Sequence, residues 1–308
     1  MKNSNTYFYS NGKFLLTGEY LVLEGATALA LPVNKGQSLE IFPNQNTREL
    51  LWQAKHINGH WFETLLSFPN VEIINTDNQK ISEKLVDILK HFKRANSNFL
   101  SSNEGLKVET NLEFLPQHGL GSSSTLINNI ANWAGVNAYE IQKLTFGGSG
   151  YDIACAKNDS PLFYSLEKKN PIVEEVDFKT DFIDSIYFVY LGKKQLSTES
   201  IYSFRKEANY STMDIELISN ISKSIVKSNT LEEFERDIEK HEEIMSRVLG
   251  RPRVRELIFS DHTGSVKSLG GWGGDFVMMT TKLNEEEFSE YISGKGLSTF
   301  YKYKDLII

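Results

Sequence analysis

The chain of 308 residues contains a single cysteine, Cys155. No intramolecular disulfide can form, and a zinc site built from several thiolates is excluded. Positive charge is also in short supply: 33 Lys and Arg stand against 40 Asp and Glu, a net charge of −7. General binding to nucleic acid or to an anionic membrane is therefore not expected, although a local basic pocket stays compatible with this balance. No segment approaches the roughly 20 apolar residues that span a bilayer. The polar start, Met-Lys-Asn-Ser-Asn-Thr-Tyr, leads into no such run either. There is no internal repeat and no low-complexity tract. The expectation is a cytoplasmic protein, monomeric or homodimeric, with no nucleic-acid or membrane partner. Its length suits about two domains with a sizeable core.

What is present is an alternation of strand-like and turn-like pieces, followed by helices and closing strands. Residues 13–23 read as strand and turn, and 26–33, 38–42, 50–56 and 106–112 as strands. Residues 82–94 read as a helix, because Leu85, Ile88, Leu89 and Phe92 recur at helical spacing. Residues 122–134 read as a largely buried helix. A second region begins after a turn at 168–171. In it, 183–191 reads as a strand, 197–209, 215–228 and 231–248 as helices, and 276–281 and 297–303 as closing strands. The glutamates of the third of these helices are most simply a solvated face. The order predicts an α+β protein.

The most informative stretch is Pro116-Gln-His-Gly-Leu-Gly-Ser-Ser-Ser-Thr125. Gly119 and Gly121 allow backbone N–H groups to turn toward one anion. Ser122, Ser123 and Ser124 place hydroxyls at a helix start, where free N–H groups and the helix dipole already favour negative charge. One of these hydroxyls is also suited to a metal ion. A serine-capped helix start is the plain structural alternative. Three further glycine-bearing segments accompany it. Gly12-Lys-Phe-Leu-Leu-Thr-Gly-Glu-Tyr20 puts Lys13 and Glu19 at the two ends of a short apolar strand. Gly147-Gly-Ser-Gly-Tyr-Asp-Ile-Ala154 aims Asp152 either as a proton acceptor or as a helix cap. Lys267-Ser-Leu-Gly-Gly-Trp-Gly-Gly-Asp-Phe276 is a glycine loop entering a strand, suited to a ligand or to a tight turn.

These four segments, in this order and spread over nearly the full chain, resemble the GHMP kinases. The motif Gly-Tyr-Asp-Ile-Ala at 150–154 is similar to that of the GYDIA-type subgroup, and Glu19-Tyr20 looks most like the phosphomevalonate kinase branch. The resemblance implies an N-terminal α/β sandwich at 1–170 and a C-terminal ferredoxin-like α+β domain at 171–308. It also implies transfer of the ATP γ-phosphoryl group, with Mg²⁺, to the hydroxyl or phosphate of a small-molecule acceptor, mevalonate or phosphomevalonate first among them. Carried over by position, Pro116, Gly119, Leu120, Gly121, Ser122, Ser123 and Ser124 would bind the nucleotide, with Ser123 facing the metal. Asp152 matches the catalytic aspartate and Lys13 the lysine that accompanies it. Glu19, Tyr20, Ser197 and Thr198 fall on the acceptor side. Gly271, Gly273 and Gly274 match the substrate-side loop that supports the phosphate cradle. Glu140 matches a metal-binding glutamate only after a one-residue shift.

Departures from the family pattern bear chiefly on the acceptor. Trp272 stands where alanine is usual, and Ser10-Asn11-Gly12 where Ala-Pro-Gly is usual. The stretch from Ser124 to Asp152 is short. A phosphorylated acceptor needs cations, and Lys193, Lys194, Arg205 and Lys206 are the candidates near the start of a helix. A diphosphomevalonate decarboxylase and a non-catalytic ligand sensor are the two alternative functions on the same scaffold. The serine loop and the Glu19-Tyr20 pair disfavour the first, and retention of both Lys13 and Asp152 disfavours the second.

Overall fold

The computed structural model describes residues 6–44, 48–101, 104–192 and 197–308, with only the backbone described at 197–199. In chain order the elements are β1 (Thr6–Leu15), β2 (Ala28–Asn44), β3 (Glu49–His56), β4 (Gly59–Ser67), β5 (Ile73–Thr76), α1 (Gln79–Ala95), β6 (Gly105–Leu112), α2 (Ser122–Ala134), α3 (Ala138–Thr145), α4 (Tyr151–Lys157), β7 (Leu162–Glu167) and β8 (Asn170–Glu175). There follow β9 (Ile186–Tyr190), α5 (Ser197–Glu207), α6 (Thr212–Ile225), α7 (Leu231–Leu249), α8 (Val254–Ile258), β10 (Val266–Ser268), β11 (Phe276–Thr280), α9 (Glu285–Gly294), β12 (Phe300–Lys302) and α10 (Tyr303–Leu306). The strands expected at 26–33 and 38–42 are one long strand, β2.

The chain forms two compact units, and they are not divided by a single cut near residue 170. The first comprises 1–12, 35–116 and 120–157; the second comprises 13–34, 117–119 and 158–308. In the first unit the strand order is β5-β4-β3-β6-β2, antiparallel except for the parallel β3–β6 pair. Its core joins Leu50, Trp52, Phe62 and Val108 of the strands to Leu85, Leu89 and Phe92 of α1, Ile127 and Ile130 of α2, Ile141 of α3 and Ile153 of α4. Each such fully buried Leu, Ile or Phe contributes about 1.5–3 kcal/mol. The α1 helix begins where the Asn78 side chain accepts from Ile81 N–H, and Lys93 and Arg94 in its last turn suit the negative end of the helix dipole.

In the second unit β9, β10, β11 and β12 form an antiparallel sheet in the order β10-β11-β9-β12. With α6 and α7 between β9 and β10, and α9 between β11 and β12, this is the βαββαβ arrangement of ferredoxin-like domains. The central strands β9 and β11 are buried at nearly every position because helices and loops cover both faces. The same unit takes in the N-terminal part of β2, whose Ala28–Ala30 pairs with Leu162–Tyr164 of β7.

Candidate active site

In the first unit, Gly121 occupies the N-cap of α2 with φ 99°, a left-handed conformation that suits glycine. The helix then opens with the three serines. Ser124 is turned back on its own helix, its Oγ donating to the Gly121 carbonyl at 3.0 Å. Thr125 Oγ1 donates to Gln37 Oε1 at 2.8 Å, which ties the first turn of α2 to β2. Ser122 and Ser123 are half-buried, and among the described residues their hydroxyls bond to no protein group. The two hydroxyls and the first-turn N–H groups therefore sit at the electropositive end of a 13-residue helix.

Asp152 lies in the first turn of α4, entered through Gly147, Gly148 and Gly150 at φ 69°, 88° and 92°. Gln142 Nε2 of α3 donates to Asp152 Oδ2 at 3.0 Å, and the Ile153 N–H donates to Oδ1 at 3.1 Å. These donors orient the carboxylate. Glu140, the metal-ligand candidate, is exposed on α3, and Gln142, two residues further along the helix, is the α3 residue that reaches Asp152. Residues two apart on a helix lie about 200° apart around the axis, so Glu140 points away from the side that Gln142 turns to Asp152. Gln142 was missed because amides carry little signal in a search for metal ligands.

The second unit holds the other motif residues. Lys13 is half-buried near the end of β1, while the adjacent Phe14 turns to the other side and stacks on Phe188 at 4.7 Å. After β1 the chain turns at Gly18, φ 83°, where a Cβ would stand 2.7 Å from the Ala28 Cβ. Gly18 N–H donates to His241 Nε2 at 3.0 Å, and the Thr17 and Ser222 hydroxyls bond at 2.6 Å, so α6 and α7 hold this turn.

Glu19 is not on an open surface. It is 1% exposed within a cluster of four ionisable side chains, with Lys267, Glu242 and His241. Lys267 Nζ donates to Glu19 Oε1 at 2.5 Å, to the Ser268 carbonyl at 2.7 Å and meets Glu242 Oε1 at 3.1 Å. Burial pushes the Glu19 carboxyl up to about 7, against the opposing pull of Lys267. Burial raises Glu242 as well and holds His241 far below its ordinary value, hence neutral. The α7 glutamates are accordingly not all a solvated face, since Glu242 is walled into this cluster. No local pattern announces it, because Glu19 lies more than 200 residues in the chain from the other three.

Tyr20 follows at a positive φ, 61°, unusual for a bulky residue. Its ring stacks on Phe204 of α5 at 5.2 Å, and Phe204 stacks in turn on Tyr210. Ser197 and Thr198 lie in the first turn of α5, but their side chains, like Lys193 and Lys194 entirely, fall outside the described residues. Arg205 and Lys206 are exposed on α5.

The 116–125 segment begins with a short 3-10 turn, Pro116–His118, and His118 packs against Tyr190 at 4.6 Å. Burial lowers the His118 pKa, which keeps the ring neutral. Leu120 is fully buried, and Gly119 has φ 72°. A Cβ on Gly119 would lie 2.6 Å from Cγ of Asp275, and one on Gly270 3.2 Å from Asp275 Oδ2. The residue that meets Gly119 is thus Asp275, which stands at the end of the loop carrying Gly271, Gly273 and Gly274. Trp272, φ 58°, is buried, with its indole N–H donating to the Pro252 carbonyl at 3.3 Å and Lys267 Nζ 5.9 Å from the ring centre.

Mg²⁺ binds through few protein groups and completes its shell with water and substrate phosphates. The two serine hydroxyls without protein partners at the start of α2 fit such an ion. An all-protein cage does not fit, since the described residues contain no cluster of three His, Cys, Asp or Glu suited to a metal.

No family model and no curated protein sequence matches the chain. Solved structures do. Mevalonate kinase of Methanococcus jannaschii is 15% identical, with a TM-score of 0.73 over 98% of each chain. Phosphomevalonate kinase of Streptococcus pneumoniae, in complex with phosphomevalonate and AMPPNP, is 13% identical, with a TM-score of 0.70 over 96% of this chain and 99% of its own. Galactokinase of Lactococcus lactis, complexed with galactose, is 12% identical, with a TM-score of 0.65 over 97% of this chain and 92% of its own. The similarity extends over almost the entire length in each case, and the chain has the fold of the GHMP kinases.

Proposed function

We propose that the protein is an ATP-dependent kinase that transfers the γ-phosphoryl group to a small-molecule acceptor, with mevalonate and phosphomevalonate the leading candidates. The observation that carries this reading is the α2 N-terminus. Among the described residues the Ser122 and Ser123 hydroxyls are unengaged by protein beside the left-handed Gly121, whereas Ser124 is bonded back to the loop. A purely structural cap would engage a serine with the helix start, and here the N-cap residue is a glycine with no side-chain bond.

In this reading the N–H groups and hydroxyls at the start of α2 hold the nucleotide phosphates. Ser123 would hold Mg²⁺, which when bound supplies neutralisation of charge on the β- and γ-phosphates. Asp152, oriented by Gln142 and the Ile153 N–H, takes the proton of an attacking acceptor hydroxyl at one of its carboxylate oxygens. Lys13 offsets negative charge on the transferring phosphoryl group. Glu19 acts through the buried cluster that sets the 18–20 turn, and the neighbouring Tyr20 faces the acceptor. Positioning and electrostatics carry most of such a reaction, so residues that set geometry matter as much as those that touch substrate.

The test is ADP release from ATP with mevalonate, phosphomevalonate, homoserine and simple sugars. At least one acceptor is expected to give ADP. Asp152→Asn should bind ATP as the wild type does and lose about 10²–10⁴-fold in kcat. Equal turnover in that variant would remove Asp152 as the base. CO2 release along with ADP would point to a decarboxylase, and ATP binding without ADP from any acceptor to a sensor.

A further inference from the structure

The glycine loop between β10 and β11 is held in an unusual backbone shape. Gly270, Trp272, Gly273 and Asp275 all have positive φ, at 65°, 58°, 85° and 38°. For Trp272 and Asp275 this state is costly, and it persists only where the surroundings enforce it. The loop is closed at its base by the Leu269 N–H, which donates to the Phe276 carbonyl at 3.1 Å. Inside it, Gly270, Gly271, Gly273 and Gly274 leave the free chain little preference for any one conformation.

Trp272 is the one large side chain of residues 270–275, and it turns inward. It is 3% exposed, its indole N–H donates to the Pro252 carbonyl at 3.3 Å, and Lys267 Nζ lies 5.9 Å from the ring centre. The carbonyl it grips is itself fixed. Pro252 follows the left-handed Gly250 cap of α7. Arg251, between them, is tied to Ser246 both ways: its N–H donates to the Ser246 carbonyl at 3.1 Å, and Ser246 Oγ donates to the Arg251 carbonyl at 2.6 Å. An indole so enclosed, with its N–H engaged, presents no surface on which a ligand could stack.

The exit of the loop meets another motif segment of the same unit. The Leu191 N–H donates to the Asp275 carbonyl at 2.8 Å. The Asp275 carboxyl fills the space beside Gly119, where a Cβ would stand 2.6 Å from its Cγ. The next residue, Phe276, meets the His118 ring edge-on at 6.1 Å. Residues 275 and 276 thus set where 118 and 119 lie, and Gly119 comes two residues before Gly121, the N-cap of α2.

We propose that Trp272 is a positioning residue for the nucleotide: its buried indole pins the 270–275 loop so that Asp275 supports Gly119. It acts through the loop and touches neither substrate. Naming the ligand a nucleotide rests on the kinase reading; the anchoring of the loop does not. Without the anchor the loop samples the other shapes its glycines permit. A binding shape populated about a tenth of the time raises the apparent Kd about tenfold.

Hydrogen exchange of the full chain and calorimetry with AMPPNP, R-mevalonate and phosphomevalonate test this in the wild type, Trp272→Ala and Trp272→Phe. In Trp272→Ala the amides of 269–276 and 117–119 should exchange about tenfold faster or more, with α7 and β9 as protected as before. The AMPPNP Kd should rise about tenfold, and the acceptor Kd should not change. Trp272→Phe keeps a ring and drops the N–H, so smaller changes in the same segments are expected, and it carries the test if Trp272→Ala fails to fold. Unchanged exchange in either segment overturns the inference. So does a uniform rise across the second unit, which would make Trp272 an ordinary core residue. A raised acceptor Kd with an unchanged AMPPNP Kd overturns it too. Faster exchange confined to the two segments, in a protein whose wild type binds no AMPPNP, would uphold the anchor and remove the kinase reading.

Discussion

At the residue scale the unusual group is Lys267, fully buried between Glu19 and Glu242 with the neutral His241 beside them. One cation faces two carboxylates, so a fully ionised cluster would bury a net negative charge. The raised Glu19 and Glu242 pKa values express the relief obtained when one carboxylate keeps a proton. Glu19 Oε2 lies 3.3 Å from His241 Nε2, whose single lone pair already accepts from the Gly18 N–H. Lys267→Met removes the only cation of the cluster and should cost about 3–5 kcal/mol at pH 8. The sign of the pH effect follows from the carboxylates. Their folded pKa values stand above the unfolded ones, and loss of Lys267 raises them further. Their destabilisation therefore grows as pH rises above about 4.5 and is smallest in acid. Urea unfolding at pH 5 and pH 8 reads the difference; an equal loss at both would refute the buried-charge account. Nothing local in the sequence paired these residues. Glu19 reads as a strand-end glutamate and Lys267 as a loop lysine, and only burial identifies them as partners.

At the element scale, long periodic segments were legible and short or interrupted ones were not. Apolar spacing was enough for α1, whose Leu85, Ile88, Leu89 and Phe92 are all buried. The strand β4 escaped because its buried face alternates Phe62, Thr64 and Leu66, and the buried Thr64 hides the apolar rhythm. Its hydroxyl is satisfied by the Asn75 carbonyl at 3.2 Å, a partner on β5 that the pattern alone cannot show. The helix α7 was legible as a helix, but its inward charges were not. Its end is set by Gly250, at φ 62°, which permits the backbone bonds that place Arg251. Gly250→Ala forces a Cβ into the left-handed region and should cost about 1–2 kcal/mol. Thermal unfolding checks the loss, and an unchanged transition would show that the left-handed angle at this cap is not strained by a side chain.

At the scale of the whole molecule, the order of folding units departs from the order of the chain. Residues 13–34 belong to the unit otherwise made of 117–119 and 158–308. They supply Glu19 to Lys267, the Gly18 N–H to His241, Thr17 to Ser222 and the Thr27 N–H to Ser219. A fragment 171–308, the domain that a linear reading suggests, leaves these buried polar partners unmet. It should lack the cooperative urea transition of the full chain, as followed by circular dichroism. A fragment with a full-length transition would show that the N-terminal segment is dispensable.

The sequence by itself determined the local chemistry: glycines where the backbone must take left-handed angles, serines at the start of α2, Asp152 beyond its glycine hinge, and the periodic helices. It also carried the likeness to the GHMP kinases, whose fold the chain shares with solved structures at 12–15% identity. Tertiary structure alone decided that Gln142 reaches Asp152, that Glu19 is locked to Lys267, and that Glu242 of α7 faces inward. The reason is range. Backbone preference and helical period act over a few residues, whereas the state of a charge depends on burial and on partners brought from distant parts of the chain.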